Sequence, residues 1–287
     1  MNKTGKGWFK NKLDDNAILS IIQEHKEGRS ANFLAKKWNC CSNSIRGYLK
    51  KAGVYAPQKQ SIPNRYHINR SFFHTIDTEK KAYWLGFLAA DGCVQLTKKG
   101  SMLCLSLKWG DREHVSLFLS HMEASHTVKK TSSLGDSGIR HFKATASIWC
   151  KEMVNDLISH GIVPRKTFKL TFPHDVDKNL IKHYIRGYFD GDGSWMIEKC
   201  KYPRFSFVGN KPFIEDLQLI LCSKCDIKKT KLKNASKKRE NTETKTLSVT
   251  GTKQCKRFYD FIYNDCSVYM KRKRERVSSI LEPLSRL

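Results

Sequence analysis

Trp84-Leu85-Gly86-Phe87-Leu88-Ala89-Ala90-Asp91-Gly92 and Ile185-Arg186-Gly187-Tyr188-Phe189-Asp190-Gly191-Asp192-Gly193 are two versions of one pattern, an apolar helix with a glycine inside that ends in Asp-Gly. Their final aspartates lie 101 positions apart (192 − 91), the length of a small domain. Glycine within a helix costs about 1 kcal/mol relative to alanine, so matched glycines at 86 and 187 point to backbones that approach closely. Gly86 with Ala89 and Ala90, and Gly187 with Gly191, gather small residues on one helix face. The two helices are therefore expected to pack in parallel. A carboxylate at a helix C-terminus meets partial negative charge, and bringing Asp91 beside Asp192 adds repulsion. A divalent cation removes that cost. Oxygen ligands with open water positions suit Mg²⁺ (or Mn²⁺), and metals shared between carboxylates suit phosphodiester hydrolysis. One Asp-Gly ending is an ordinary helix cap; two in register define a repeat.

The chain has 287 residues, with 53 Lys+Arg against 27 Asp+Glu and a formal charge of +26. Such an excess, spread along the chain, suits a polyanion, with nucleic acid as the first candidate. Ten cysteines are scattered rather than framed as disulfides. Cys93, Cys104, Cys150 and Cys255 fall in strand or helix patterns as small buried hydrophobes would. This usage implies an intracellular, reducing compartment (cytoplasm or an organelle) and a protein that is not secreted. No apolar run approaches about 18 residues, so no membrane span is expected.

Residues 1–56 read as a small all-α module. Asp14-Asp15 precede Ile18, Ile21 and Ile22; Ser30 caps a second helix; Ser42 is expected to cap a third, ended by Gly53. Three short helices with a tight turn before the last form a helix-turn-helix pattern, and the third would present Asn43, Ser44, Arg46 and Lys50 to DNA. Residues 57–76, with Pro57 and Pro63, read as a linker. Asp77 or Thr78 caps the first motif helix.

After each motif the period changes. Leu103, Leu105 and Leu107 alternate on a strand behind a Lys98-Lys99-Gly100 turn, and Phe205 and Phe207 do so in the second copy. Each copy reads α-β-β-α-β-β-α, and the chain as α+β: two pseudo-symmetric repeats over 77–173 and 174–287. Antiparallel sheets with one face on helices leave the other free. Lys129, Arg140, Lys143, Lys229, Lys231 and Lys233 are expected on that free face, where a curved basic surface fits the DNA major groove.

With motifs, element order and charge assembled, residues 70–287 resemble the LAGLIDADG homing endonucleases in their single-chain, two-motif form. The resemblance implies that Asp91 and Asp192 bind divalent metal. It also matches Gly161-Ile162-Val163-Pro164-Arg165-Lys166-Thr167 and Tyr269-Met270-Lys271-Arg272-Lys273 to segments delivering a basic residue to the site, so Lys166 and Lys273 are the expected catalytic partners. Ala89 stands where the second copy has Asp190, a position structural in the family. The implied function is a monomeric, site-specific, metal-dependent double-strand DNA endonuclease with a long asymmetric target, of the kind that drives intron homing. The alternative from another class is a non-cleaving nucleic-acid binder: an RNA maturase acting on intron RNA, or a transcription regulator.

Overall fold

The computed structural model describes residues 13–55, 66–135, 138–198, 202–235 and 243–283. The expectations that fall on 1–12 and on 56–65 of the linker lie outside these residues. The chain divides into two compact units, Met1–Pro63 and Asn64–Leu287.

The first unit holds three helices, α1 (Asp15–Lys26), α2 (Ala31–Lys37) and α3 (Ser42–Lys51), around Ile21, Leu34, Ile45 and Leu49. Asp14 caps α1 by accepting from the Ala17 amide at 2.7 Å, and Ser30 caps α2 by accepting from Phe33 at 3.2 Å. Ser42 does not cap α3. It is that helix's first residue, and Cys41 occupies the cap position with no side-chain bond.

The second unit repeats one order of elements. α4 (Glu79–Asp91), β1 (Gly92–Thr97), β2 (Gly100–Lys108), α5 (Arg112–His121), β3 (Lys129–Leu134), β4 (Arg140–Trp149) and α6 (Lys151–Ser159) form one copy. α7 (Ile181–Asp192), β5 (Ser194–Glu198), β6 (Tyr202–Asn210), α8 (Lys211–Cys225), β7 (Lys233–Asn234), β8 (Thr244–Thr250) and α9 (Thr252–Tyr263) form the other. A further helix, α10 (Lys271–Leu281), lies beyond the seven-element pattern. The antiparallel sheets have matching orders, β1-β2-β4-β3 and β5-β6-β8-β7, each packed on helices through alternate residues. A single apolar core runs through both copies.

Three expectations need correction. Residues 66–76 are not linker: Phe72, Phe73 and Ile76 are buried in the main core, because two adjacent phenylalanines cannot remain in water without cost. The third strand that the α-β-β-α-β-β-α order calls for in the second copy is only Lys233–Asn234. Thr230 gives its carbonyl to the Gln218 side chain and Leu232 turns onto the core. Cys150 and Cys255 are buried, but Cys93 is exposed and Cys104 half-buried. The two are cross-strand partners on the open face of the first sheet. Among the described residues no helix is long and apolar enough to cross a membrane.

Candidate active site

Helices α4 and α7 pack side by side so closely that their glycines are obligatory. A Cβ on Gly86 would collide with the carbonyl of Tyr184, and one on Gly187 with the carbonyl of Tyr83. These contacts are related by the 101-residue offset (83 + 101 = 184; 86 + 101 = 187). Further along, a Cβ on Gly191 would strike Ala90 and lie 3.3 Å from Asp91 Oδ2. The small residues thus bring the C-terminal ends together and set Asp91 beside the end of α7. Asp91 is half-buried, while Asp192 has an open face to solvent.

Each helix end is closed by a lysine from a remote segment of the chain. Lys166 donates to the carbonyls of Ala90 (2.8 Å) and Gly92 (2.7 Å). Lys273 donates to Phe189 (2.9 Å), Gly191 (2.8 Å) and Gly193. An ammonium at a helix C-terminus satisfies orphan carbonyls and offsets the dipole that opposes the aspartates. The sequence places these lysines near the acids, and the structure brings all four residues together. Their capping bonds were missed, although a carboxylate at a helix C-terminus with no basic residue in its last turn is a sign that a cation must come from elsewhere.

The electrostatics follow from crowding. Burial, then the Asp192 charge, raises Asp91 to about 6 against the pull of Lys273 and Lys166. Burial raises Asp192 as well, opposed by both lysines. Burial lowers Lys166, and it lowers Lys273 to about 8. Asp91 therefore holds its proton more tightly than a free carboxylic acid despite two adjacent cations. Among the described residues no cluster of three or more His, Cys, Asp or Glu side chains could hold a metal. Two hard carboxylates with an open side fit a cation that takes its remaining oxygens from water and phosphate, as Mg²⁺ does.

Asp190 is fully buried and accepts from Tyr83 Oη (2.9 Å), Tyr263 Oη (2.8 Å) and the Met270 amide (2.7 Å). It anchors the start of α10, three residues before Lys273. A groove of about 690 Å³ opens beside Lys273, lined by Gly193, Ser194, Arg272 and Arg276. The two arginines were not anticipated, and Arg272 already pairs with Asp111 at 2.9 Å.

The strand register sorts the basic candidates. Lys143 lies opposite Lys108 and Thr131, and Lys129 opposite Thr145, on the open face of the first sheet. Ser106, Thr145 and Thr131 join hydroxyls across that face at 2.8 and 3.0 Å. Arg140 does not belong there. Its partner is Leu134, and it shares pleat parity with the buried Ala144, so it points to the reverse side and donates to Ser132. Lys233, opposite Thr246, is on the open face of the second sheet; Lys229 and Lys231 are exposed in the irregular run before it. In the first unit Lys50 is exposed, whereas Arg46 is half-buried and held by Asn43 and Asn32 at 3.2 and 3.1 Å.

Paired sheets flanking parallel helices that end in two acids define a class, the fold of the LAGLIDADG homing endonucleases. Residues 179–263 match the family model described as LAGLIDADG-like domain, so the chain carries such a domain. The homing endonuclease I-WcaI bound to its DNA recognition sequence is similar at 14% identity and a TM-score of 0.53, over 78% of this chain and 96% of that one. Full-length DUF199/WhiA from Thermatoga maritima aligns at 17% identity and a TM-score of 0.45, over 75% and 65%. LAGLIDADG meganuclease I-AabMI bound to uncleaved DNA aligns at 11% and 0.41, over 71% and 92%. No curated protein sequence matches the chain.

Proposed function

We propose that this protein is a divalent-metal-dependent, site-specific endonuclease of double-stranded DNA. The observation that carries the reading is the pair Asp91 and Asp192, brought to the ends of two helices that pack through glycine contacts and are capped by Lys166 and Lys273. Duplex DNA is the polyanion assigned to the +26 charge, as it is the partner of I-WcaI, which shares the fold.

Asp91 and Asp192 would hold Mg²⁺ or Mn²⁺. When bound, such a cation supplies a more acidic water and neutralises charge at the leaving oxygen. Lys166 and Lys273 keep the helix ends rigid and place positive charge beside the phosphates, where it stabilises charge developing on the phosphoryl oxygens. Lys129, Lys143 and Lys233 face the major groove from the open sheet faces and, with Lys229 and Lys231, contact phosphates or base edges. Because one chain contributes both acids, a monomer suffices for a long asymmetric target. The three-helix unit acts as a helix-turn-helix module on flanking DNA, with Lys50 exposed on α3 and Arg46 fixed by Asn32.

The test is incubation of the full chain with Mg²⁺ and a supercoiled-plasmid library of randomised sites. The reading requires linear product enriched in one site. Tight enrichment of a site, or of an intron RNA, with no metal-dependent cleavage would favour the non-cleaving binder instead.

A further inference from the structure

The turn that leads to Lys273 is bound by an ion pair between buried Arg186 and half-buried Glu79, whose equivalent positions in the other copy are leucines. Arg186, fully buried on α7, donates from Nη2 to Glu79 Oε1 at 2.6 Å. Its Nε donates to the carbonyl of Val268 (2.8 Å) and its Nη1 to that of Ile262 (2.9 Å). Glu79, in the first turn of α4, accepts from the amides of Ser267 (2.7 Å) and Val268 (3.3 Å) and from Ser267 Oγ (2.9 Å). The pair thus grips both carbonyls and amides of the 262–268 turn from the two motif helices at once. His183 Nδ1, 2.8 Å from Arg186 Nη1, completes the cluster. Burial, and then the Arg186 charge, lowers this histidine to about 4, so it stays neutral and accepts.

The corresponding turn in the first copy is held differently. The 101-residue offset puts Leu85 in the place of Arg186 and Leu180 in the place of Glu79. His160, at the end of α6 just before that turn, bonds Asp175 and the Phe73 carbonyl, each at 2.9 Å. A buried guanidinium and a half-buried carboxylate are costly to remove from water and are weak sources of net stability. What they supply here is a fixed backbone five residues before Lys273 (273 − 268), a distance over which a loose turn would let the ammonium wander.

We propose that Glu79 and Arg186 are positioning residues for Lys273 and set the cleavage rate of one DNA strand independently of the other. The proposal rests on the endonuclease reading for its strand-resolved consequence. It does not make either residue part of the chemistry, since neither reaches the carboxylates or the groove.

The experiment uses the full chain on its enriched supercoiled target with Mg²⁺, comparing wild type, Glu79→Gln and Glu79→Asp by single-turnover cleavage of each labelled strand. Glu79→Gln keeps the shape and removes the ion pair. The expected result is that one strand slows roughly ten-fold or more, as displacement of a catalytic group demands, while the other stays within about two-fold, so nicked circles accumulate. Glu79→Asp should recover part of the lost rate. Equal slowing of both strands, or none, would overturn the proposal. Hydrogen exchange on the same proteins reads the clamp without cleavage. The Ser267 and Val268 amides should exchange faster in Glu79→Gln while the Gly161 and Ile162 amides do not change. If the wild type cuts nothing, the endonuclease reading fails and this exchange pattern alone decides the clamp; unchanged Ser267 and Val268 amides would then reject it.

Discussion

Gly86 lies against the backbone carbonyl of Tyr184, with no room between them for a single methyl group. The reciprocal contact, Gly187 on the carbonyl of Tyr83, makes the helix pair a close fit of backbone on backbone. The acids at the helix ends inherit their separation from this fit.

Substituting either glycine should therefore be disproportionately harmful. Gly86→Ala and Gly187→Ala force the helices apart and should each cost about 1–3 kcal/mol, the range for overpacking. Gly47, within α3, has open space around it. Gly47→Ala should stabilise the first unit by about 0.5–1 kcal/mol through backbone entropy. Denaturant midpoints of the three variants check both signs.

A second expectation concerns pH. Burial and the neighbouring Asp192 raise Asp91 to about 6, so the metal-free native state binds a proton more tightly than the unfolded chain. The stability linked to that proton is fully present below the unfolded value and is lost as pH rises to about 6. The gap corresponds to at most about 3 kcal/mol. With a chelator present, Asp91→Asn should be more stable than wild type at neutral pH, and the two should converge below about pH 4. Urea titrations across pH measure this; a difference independent of pH would contradict it.

The lysines should betray their capping bonds. Lys273→Met takes a donor from three carbonyls, of which Phe189 keeps only the Gly193 amide, and Lys166→Met takes one from two at a less buried helix end. At roughly 1 kcal/mol or more per abandoned group, both should lower the melting temperature, Lys273→Met by more. Differential scanning calorimetry at one pH resolves the order.

The register predicts which basic residues meet DNA. Lys143→Ala should weaken binding and reduce the salt slope by about 1, the signature of one lost phosphate contact. Arg140→Ala, on the reverse of the same sheet, should leave both within error. Binding isotherms at several salt concentrations distinguish them.

The repeat was legible because it is written locally: a glycine, a run of apolar residues and an Asp-Gly ending appear twice at one spacing. Strands with strict alternation, such as Leu103 to Leu107 and Phe205 to Phe207, were legible for the same reason. Arg140 was not, because its side depends on the parity of a register counted across a hairpin. The short β7 was not, because a glutamine on another helix claims the Thr230 carbonyl. The Glu79–Arg186 pair spans 107 residues (186 − 79) and has no local pattern at all. The capping by Lys166 and Lys273 joins chain segments more than seventy residues apart and becomes visible only once both helix ends are in place.

Single-turnover cleavage of the enriched target by Asp91→Asn and Asp192→Asn shows whether the two aspartates together cut DNA. Each variant should bind the site about as tightly as wild type and lose cleavage by roughly a hundred-fold or more, the scale of removing a key electrostatic group. A variant that binds and cuts both strands at the wild-type rate would contradict it.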